Sequence, residues 1–385
     1  MSTFLEAILW ASMAMVVLVT IGYPLFLAAS GPFVRRPRLQ DAAEPTVSFI
    51  IAAYNEEAVI QSKLENTLAL DYPRGKIEIF VASDGSTDRT DEIVSSYGER
   101  GVVLQRFART GKTGMQNQMA LRAKGEILVF SDANALYQAD AIRKLVRNFA
   151  DPGVAGVCGQ LVYSVRGEGA GAAETLYWSY EKFMKRRESE LSSVVGVNGS
   201  IYAIRRQDYV PIDDDMISDF VEPLALVRNH RRVVYEPEAI SVEAASESYD
   251  VEFRRKVRIL TRSIHGLLRM RSLMNPMRYG VFSVQLVMHK LMRFLTPVFL
   301  AAGGCSLAGL ALLGSYRMLL LVCLVTAAVA VGVARTGPTF LPKAIVRIAN
   351  VVYYYLLTNY ALLLAWGNVL RGRRMVLWSP ERTRT

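Results

Sequence analysis

Between Phe4 and Ala29 the chain carries one charged residue, Glu6. An apolar run of that length crosses a hydrocarbon core of roughly 30 Å as a helix, so the chain must be anchored in a bilayer before any motif is read. No Lys or Arg precedes the run, and Arg35, Arg36 and Arg38 follow it. That charge order argues against a cleaved leader and predicts an external amino terminus with the next domain in the cytosol. Hydrophobic residues make up 51% of the 385, and the surplus returns at the far end. There 294–314, 318–334 and 350–370 read as further spans. Three crossings after a cytosolic domain would carry Arg371, Arg373 and Arg374 outside, against the positive-inside tendency. Either one of the three is interfacial or re-entrant, or the tail breaks the rule.

The stretch between these apolar ends has a different grammar. Thr46 to Ala53, Ile77 to Ala82, Val102 to Leu104 and Ile127 to Phe130 are short apolar runs rich in β-branched residues, and helical patterns separate them. Strand alternating with helix predicts a parallel sheet with helices on both faces, an α/β fold. Polar clusters follow these strands: Tyr54-Asn55-Glu56, Asp84-Gly85-Ser86-Thr87-Asp88 and Asp132-Ala133-Asn134. In open α/β sheets the carboxyl edge is where ligands bind. Asp88 reads as a helix cap. Thr110 to Gly114 reads as a flexible turn carrying Lys112, and Met115 to Ala123 as the helix after it. Later come a helix at 174–190 with Tyr177 and Trp178 as packing residues, the small-residue loop Val194 to Ser200, and Asp213 to Asp215 as a solvated turn before a helix through Leu224 and Val227. Glu222 on that helix reads as structural.

From Phe253 the pattern changes again. Phe253, Val257, Leu260, Ile264 and Leu268 mark an apolar face, with Arg254, Arg255, Arg258 and Arg262 supplying cations, the pattern of a helix lying in the membrane interface. A second interfacial piece is expected over 281–293, with His265 and His289 as interface residues. The net charge is +10. The basic residues crowd beside apolar segments and no aromatic-basic recognition motif occurs, so lipid headgroups or a phosphorylated substrate explain the charge and nucleic acid does not. Cys158, Cys305 and Cys323 are too few and too scattered for a disulfide framework or a zinc site.

The clusters suit transfer of a sugar from a nucleoside diphosphate. That reaction needs neutralisation of the departing diphosphate, a base for the acceptor proton and a grip on the nucleotide. Asp132 and Asn134, two residues apart at a strand end, offer oxygen donors to a hard divalent cation, Mg or Mn. Lys112 and Arg258 can approach phosphate. Asp219 is the candidate general base, apart in sequence from the nucleotide cluster and held at a helix start.

In this order and spacing, Ala53-Tyr54-Asn55-Glu56, Asp84 to Asp88, Gly111-Lys112, Asp132-Ala133-Asn134, Asn198-Gly199 and Ser218-Asp219 resemble the family 2 glycosyltransferases of GT-A fold. The resemblance covers about Pro45 to Arg262. It implies a Rossmann-like nucleotide-diphospho-sugar transferase domain, a UDP-sugar donor and inversion at the anomeric carbon. It implies donor contacts from Tyr54, Glu56 and Asp84, with Asp84 on the base or ribose. Asp132 and Asn134 would meet the diphosphate and its metal, Asn198 and Gly199 would lie on the acceptor side, and Asp219 would act as base. The flanking membrane segments resemble those of cellulose, hyaluronan, chitin-oligomer and poly-N-acetylglucosamine synthases. Those enzymes carry a second acid where Asn134 stands, a Glu where Ser218 stands, and Gln-x-x-Arg-Trp where this chain has Arg255-Lys256-Val257-Arg258-Ile259. The missing Trp bears on processivity more than on catalysis.

The expected plan is therefore a transmembrane helix at 1–32, a linker at 33–45, a cytosolic GT-A domain at 46–248, interface helices at 249–293, and a transmembrane region with a basic tail at 294–385. The expected activity is elongation of a polysaccharide at the cytosolic face of the cell membrane. Its partners would be the donor, a glycan or lipid-linked acceptor, membrane lipids, and an oligomer or separate export component. The alternatives are single transfer to a polyprenyl phosphate or other lipid and, in another class, a nucleotide-binding membrane transporter. A transporter often needs charges deep within its spans, and the runs here hold none there.

Overall fold

The computed structural model describes residues 1–30, 36–164, 170–244, 249–337 and 341–375. Arg35, the side chain of Tyr177, the boundary expected at 248 and the tail beyond 375 lie outside the described residues or side chains.

In chain order the elements are α1 (Ser2–Ser30), β1 (Val47–Ala53), α2 (Ile60–Leu68), β2 (Ile77–Ser83), α3 (Thr90–Ser95), β3 (Val102–Arg106), α4 (Gly111–Arg122), β4 (Ile127–Asp132), β5 (Leu136–Tyr137), α5 (Ala141–Val146), β6 (Val154–Ser164), α6 (Ala170–Leu191), β7 (Tyr202–Arg205), α7 (Ser218–Arg228), β8 (Arg232–Ala244), α8 (Tyr249–Arg269), α9 (Val281–Leu312), α10 (Arg317–Thr336) and α11 (Lys343–Leu370). The strands form one sheet in the order β3-β2-β1-β4-β7-β6-β8-β5. The first half is parallel, as strand–helix alternation requires. The sheet then departs from an all-parallel plan, because β7 runs antiparallel to both β4 and β6. That reversal brings the carboxyl end of β4 beside the start of β7, so the loop before β7 reaches Asp132.

Alternation along β1 divides the interior. Phe49 and Ile51 pack with α2 and α5, while Ile50 and Ala52 pack with Met115 and Met119 of α4 and with α7. The second core runs on without a break into Ile264 and Leu267 of α8, Phe282 and Leu286 of α9, and Leu362 and Ala365 of α11. The domain and its membrane helices thus share one apolar interior. Where α8 crosses α7, only a glycine fits: a Cβ on Gly266 would lie 2.5 Å from Val221 Cγ2.

Among the described residues four helices are long and apolar enough to cross a membrane: α1, α9, α10 and α11. Helices α1 and α9 run antiparallel with small residues at the contact, Gly303 against Ser12 and Gly309 against Leu5. The segment 281–293, expected as a separate interface helix, is the first third of α9 and continues through a π-turn at Val287–Leu291. His289 is accordingly buried, its Nδ1 2.7 Å from Glu188 Oε1, and does not face lipid. The second half of α11 lies along α8: Tyr354 receives a hydrogen bond from Lys256, Tyr360 stacks on Phe253, and Asn368 reaches Thr261. Arg374 then pairs with Asp215, in the turn before α7 of the α/β domain, at 3.3 Å. The basic tail therefore meets the same side of the molecule as that domain, and α11 returns along the amphipathic helix.

Candidate active site

Asp84 stands directly after β2, and its carboxylate points inward. It accepts hydrogen bonds from the backbone N–H of Thr110 at 2.8 Å and of Gly111 at 3.0 Å, and from Arg109 Nη1 at 3.0 Å, with no exposure. These are the free donors that begin a helix, and satisfying them starts α4 at Gly111. The stretch read from sequence as a flexible turn is thus the first turn of α4, and Lys112 is fixed on it. Arg109 lies between Asp84 and the cleft, its guanidinium 3.1 Å from the centroid of the Tyr54 ring. Asn55, at φ +52°, accepts from Thr87 N–H at 2.7 Å and pins Tyr54 and the buried Glu56 beside the loop after β2. Asp88, read as a helix cap, stands one residue before the N-cap position Arg89 and accepts from Thr90 N–H and Oγ1 at the first turn of α3.

Lys112 Nζ forms an ion pair with Asp132 Oδ1 and donates to the Gly199 carbonyl at 3.2 Å. Burial pulls this ammonium down, but the Asp132 and Asp219 carboxylates more than offset it and hold its pKa above the ordinary value. Beside Asp132 stands Glu243, from the end of β8, with Asn134 Nδ2 3.4 Å from its Oε2. Burial and then the neighbouring Asp132 charge push Glu243 up to about 7. Beneath them Lys63 of α2 is fully buried and donates to the Ala135 carbonyl, which fixes the turn after β4 from below. Burial lowers Lys63 to about 7.

Among the described residues no three His, Cys, Asp or Glu side chains gather at one point. The oxygen donors that do converge are Asp132, Glu243 and the amide of Asn134, which presents its oxygen when turned end for end. Two neighbouring carboxylates of hard oxygen chemistry, with the Asp132 charge adding to the burial that holds a proton on Glu243, fit a divalent cation.

Asp219 begins α7 across from this group. Burial pushes its carboxyl up and so does Asp132, while Lys112, Arg262 and Lys185 pull it down, and the net direction is upward. Its carboxylate accepts no hydrogen bond from any described residue, which no other acid of the cluster shares. The backbone explains how it is aimed. Pro223, four residues on, has no N–H to give the Asp219 carbonyl, and that carbonyl accepts from Val197 N–H at 2.8 Å. The proline therefore ties the loop Val194 to Ser200 to Asp219. At Gly199 the fit is close, since a Cβ there would lie 3.0 Å from Asp219 Oδ2 and 3.2 Å from Lys112 Nζ. Asn198 is held by the protein: it receives Lys185 Nζ on Oδ1 and gives its amide to the Gly159 carbonyl at 2.6 Å. Glu222 is buried, takes Tyr202 and Tyr209 hydroxyls, and is pushed by burial up to about 8, in keeping with a structural role.

The cationic face of α8 does not all turn to lipid. Arg255 acts on Glu243, Arg258 lies close to Arg262, and Arg262 is buried, donating to Thr113 Oγ1 at 3.2 Å and to the Asp214, Asp215 and Met216 carbonyls. Their spacing sets them on one helical stripe. Asp213 to Asp215 is the exposed turn read from sequence, and each of its acids has a partner: Asp213 in Arg269, Asp214 in Asn117, and Asp215 in Arg374.

Lys112, Asp132, Asn134, Gly199 and Asp219 thus come together, while Asp84 lies buried behind Arg109, which stacks on Tyr54, and Arg258 lies beside Arg262 on α8. Sequence reasoning missed Glu243, Lys63, Lys185, Arg109 and Arg262. A signal existed for two of them: Glu243 keeps the inward phase of Ala239 and Ser241 along β8, and Lys63 sits among Ile60, Leu64 and Thr67 on the buried face of α2.

Residues 48–211 match the family model described as glycosyl transferase family 2. The chain carries a family 2 glycosyltransferase domain. Within 220 residues the chain is 30% identical to a β-monoglucosyldiacylglycerol synthase of Nostoc sp., over 53% of this chain and 45% of that protein. It is 27% identical to a poly-β-1,6-N-acetyl-D-glucosamine synthase of Staphylococcus aureus, over 55% of this chain and 53% of that one. The chain therefore spans about half the length of the curated relatives it matches. In fold it resembles the mannosyltransferase PcManGT from Pyrobaculum calidifontis, solved with GDP-Man and Mn2+, at a TM-score of 0.71 and 21% identity, over 96% of this chain and all of that one. The architecture is that of a GT-A domain with apolar helices at both ends.

Proposed function

We propose that this glycosyltransferase moves a sugar with inversion from a nucleoside diphosphate donor, a UDP-sugar first of all, onto a lipid-borne acceptor at the cytosolic face of the membrane. The observation that carries the reading is Asp219: a half-buried carboxylate with no hydrogen-bond donor among the described residues, its affinity for a proton raised, opposite the Lys112–Asp132 pair. In this reading Asp219 takes the proton of the acceptor hydroxyl as the new C1–O bond forms on one face of the sugar. The bond from C1 to the diphosphate oxygen breaks on the other face, and the electron pair leaves with the diphosphate. Lys112 and Arg258 bind that leaving group, and Tyr54 with Glu56 and the Arg109–Asp84 pair line the nucleotide end. A divalent cation, Mg or Mn, would be held by Asp132, Glu243 and Asn134 and would supply charge neutralisation for the diphosphate.

Two observations favour a lipid acceptor over a growing polymer. Lys290, in the π-turn where α9 leaves the domain, stands over the ring of Phe220, the residue after the base, at 5.5 Å. Helix α8, which closes the cleft, is the amphipathic one. Both support an acceptor entrance at the bilayer, as suits the synthase of a glycolipid that is among this chain's relatives. Polymer elongation is the second reading, favoured by the likeness to the poly-N-acetylglucosamine synthase. The test is transfer from labelled UDP-glucose, UDP-N-acetylglucosamine and GDP-mannose by the protein in lipid vesicles, with products sized by mass spectrometry. One added sugar is expected, and a ladder would establish the polymer instead. Asp219→Asn should lose transfer by about 10²–10⁴-fold while still binding the nucleotide. Equal activity in both forms would remove Asp219 from the mechanism and reopen the reading of a transporter that only binds nucleotide.

A further inference from the structure

A cavity of about 520 Å³ opens where α8, the turn after it and the chain beyond α11 converge. Its walls are His265, Arg269, Arg271 and Arg374, with Met216 and Leu268 as the apolar part and Asp215 as the acid. It stands apart from the cleft that holds Lys112 and Asp132, and the proposed reaction makes no use of it. Three features bear on what it could hold. Arg271 is exposed and makes no hydrogen bond or ion pair with any described residue. Arg269 and Arg374 are each paired with one carboxylate, Asp213 and Asp215, but both arginines stay largely exposed, at 60% and 72% of the side chain. Surface pairs of this kind contribute little, so either arginine can exchange its carboxylate for another anion. Finally, the cavity lies at the end of an apolar helix long enough to reach a bilayer, and Arg371 and Arg373 flank it.

We propose that this cavity binds the phosphate-bearing headgroup of an anionic phospholipid. The volume falls in the range of small-ligand pockets and exceeds what a bare phosphate needs. The arginines supply planar donors for phosphate oxygens, and Met216 and Leu268 meet the glycerol and the first methylenes. Occupancy reaches the active site by a short covalent path. Asp215 and Met216 lead straight into Ser218 and Asp219, and Arg262 holds the Asp214, Asp215 and Met216 carbonyls. A lipid that draws Arg374 from Asp215 thus acts on the segment that begins α7.

The full chain in neutral detergent is titrated with dihexanoyl phosphatidylglycerol, dihexanoyl phosphatidylcholine, glycerol phosphate and inorganic phosphate, and bound molecules are counted by native mass spectrometry. Saturable binding of one phosphatidylglycerol, at least tenfold tighter than phosphatidylcholine, is expected. Arg271→Gln should weaken it about fivefold and the pair Arg271→Gln with Arg374→Gln about thirtyfold, taking the usual worth of a basic residue at an anionic surface. Arg271→Lys should keep most of it, and Arg89→Gln, which lines no part of this cavity, all of it. Since Arg271 bonds to no described residue, its variants are expected to melt as wild type does, and a melting curve checks that. Equal binding of the two lipids, or variants that bind as wild type does, overturns the proposal. Glycerol phosphate or phosphate binding as tightly as phosphatidylglycerol also overturns it, because the site would then serve a free anion. None of these readings depends on glycosyl transfer, so the lipid site and the enzymatic reading fail separately.

Discussion

Gly199→Ala tests the catalytic geometry with a single methyl group. The backbone at Gly199 lies outside the left-handed region, so alanine is allowed there and the effect is steric. The new Cβ would stand 3.0 Å from Asp219 Oδ2, 3.2 Å from Lys112 Nζ and 3.4 Å from Asp219 Cβ. Ordinary contacts with carbon are about 3.5–4.0 Å, so the base and the lysine must each yield by a few tenths of an ångström. They lie on different elements, α7 and α4, and the methyl acts as a wedge between them. If a misplacement of about 1 Å costs about 10²-fold, a few tenths should cost about tenfold in kcat, or roughly 1.4 kcal/mol. The assay is initial rate at saturating donor and acceptor in lipid vesicles, with nucleotide affinity and melting temperature measured on the same preparation. Affinity and melting should stay close to wild type. Gly98→Ala, where a Cβ meets nothing within 4 Å, is the control. A kcat within twofold of wild type would refute the placement of Asp219 and Lys112 as a working pair, and an equal loss in nucleotide affinity would move the wedge's effect to the donor.

Two further outcomes follow from buried acids. Glu243 keeps its proton up to about 7 in the absence of a cation, so cation binding must expel that proton and should strengthen about tenfold per pH unit below 7 and level off above it. Calorimetry in two buffers of different ionisation heat would detect the released proton, and Glu243→Gln should abolish the release and weaken binding; a pH-independent affinity would exclude Glu243 as a ligand. Glu222, held up to about 8, binds a proton when folded that the unfolded chain has lost above its ordinary carboxylate range. Its contribution to stability is therefore complete at low pH and declines as pH rises from that range to about 8, by about 1.4 kcal/mol per unit. Denaturant melts of Glu222→Gln across this window should show a flatter slope than wild type, and an unchanged slope would assign the dependence elsewhere.

Much of the site was legible because it depends on local pattern. Asp84, Asp132 and Asp219 each stand where a strand ends or a helix begins, and Lys112 stands in a glycine-flanked step between the two kinds of element. What each acid does was less legible, because it depends on which donors arrive from elsewhere. Asp84 looks like a ligand contact in sequence, yet its oxygens are taken by Thr110, Gly111 and Arg109, and it organises the start of α4. Arg262 looks like one more headgroup cation, yet it is buried and braces the chain before Asp219. Helical periodicity defines a stripe of arginines but does not say whether lipid or protein covers it.

By itself, the order of residues determined the apolar helices long enough to cross a bilayer, the strand–helix alternation of the first half of the sheet, and the strand-end positions of the polar clusters. These follow from hydrophobic period and from what turns and helix starts require over a few residues. Only the tertiary structure decided that β7 reverses, that Glu243 joins Asn134 from 109 residues away, that Lys63 braces the turn after β4, and that Arg374 brings the tail back to the catalytic domain. Each of these is a contact between distant segments, chosen by how whole elements pack and by the cost of leaving a buried charge unmatched, and no local pattern carries that information.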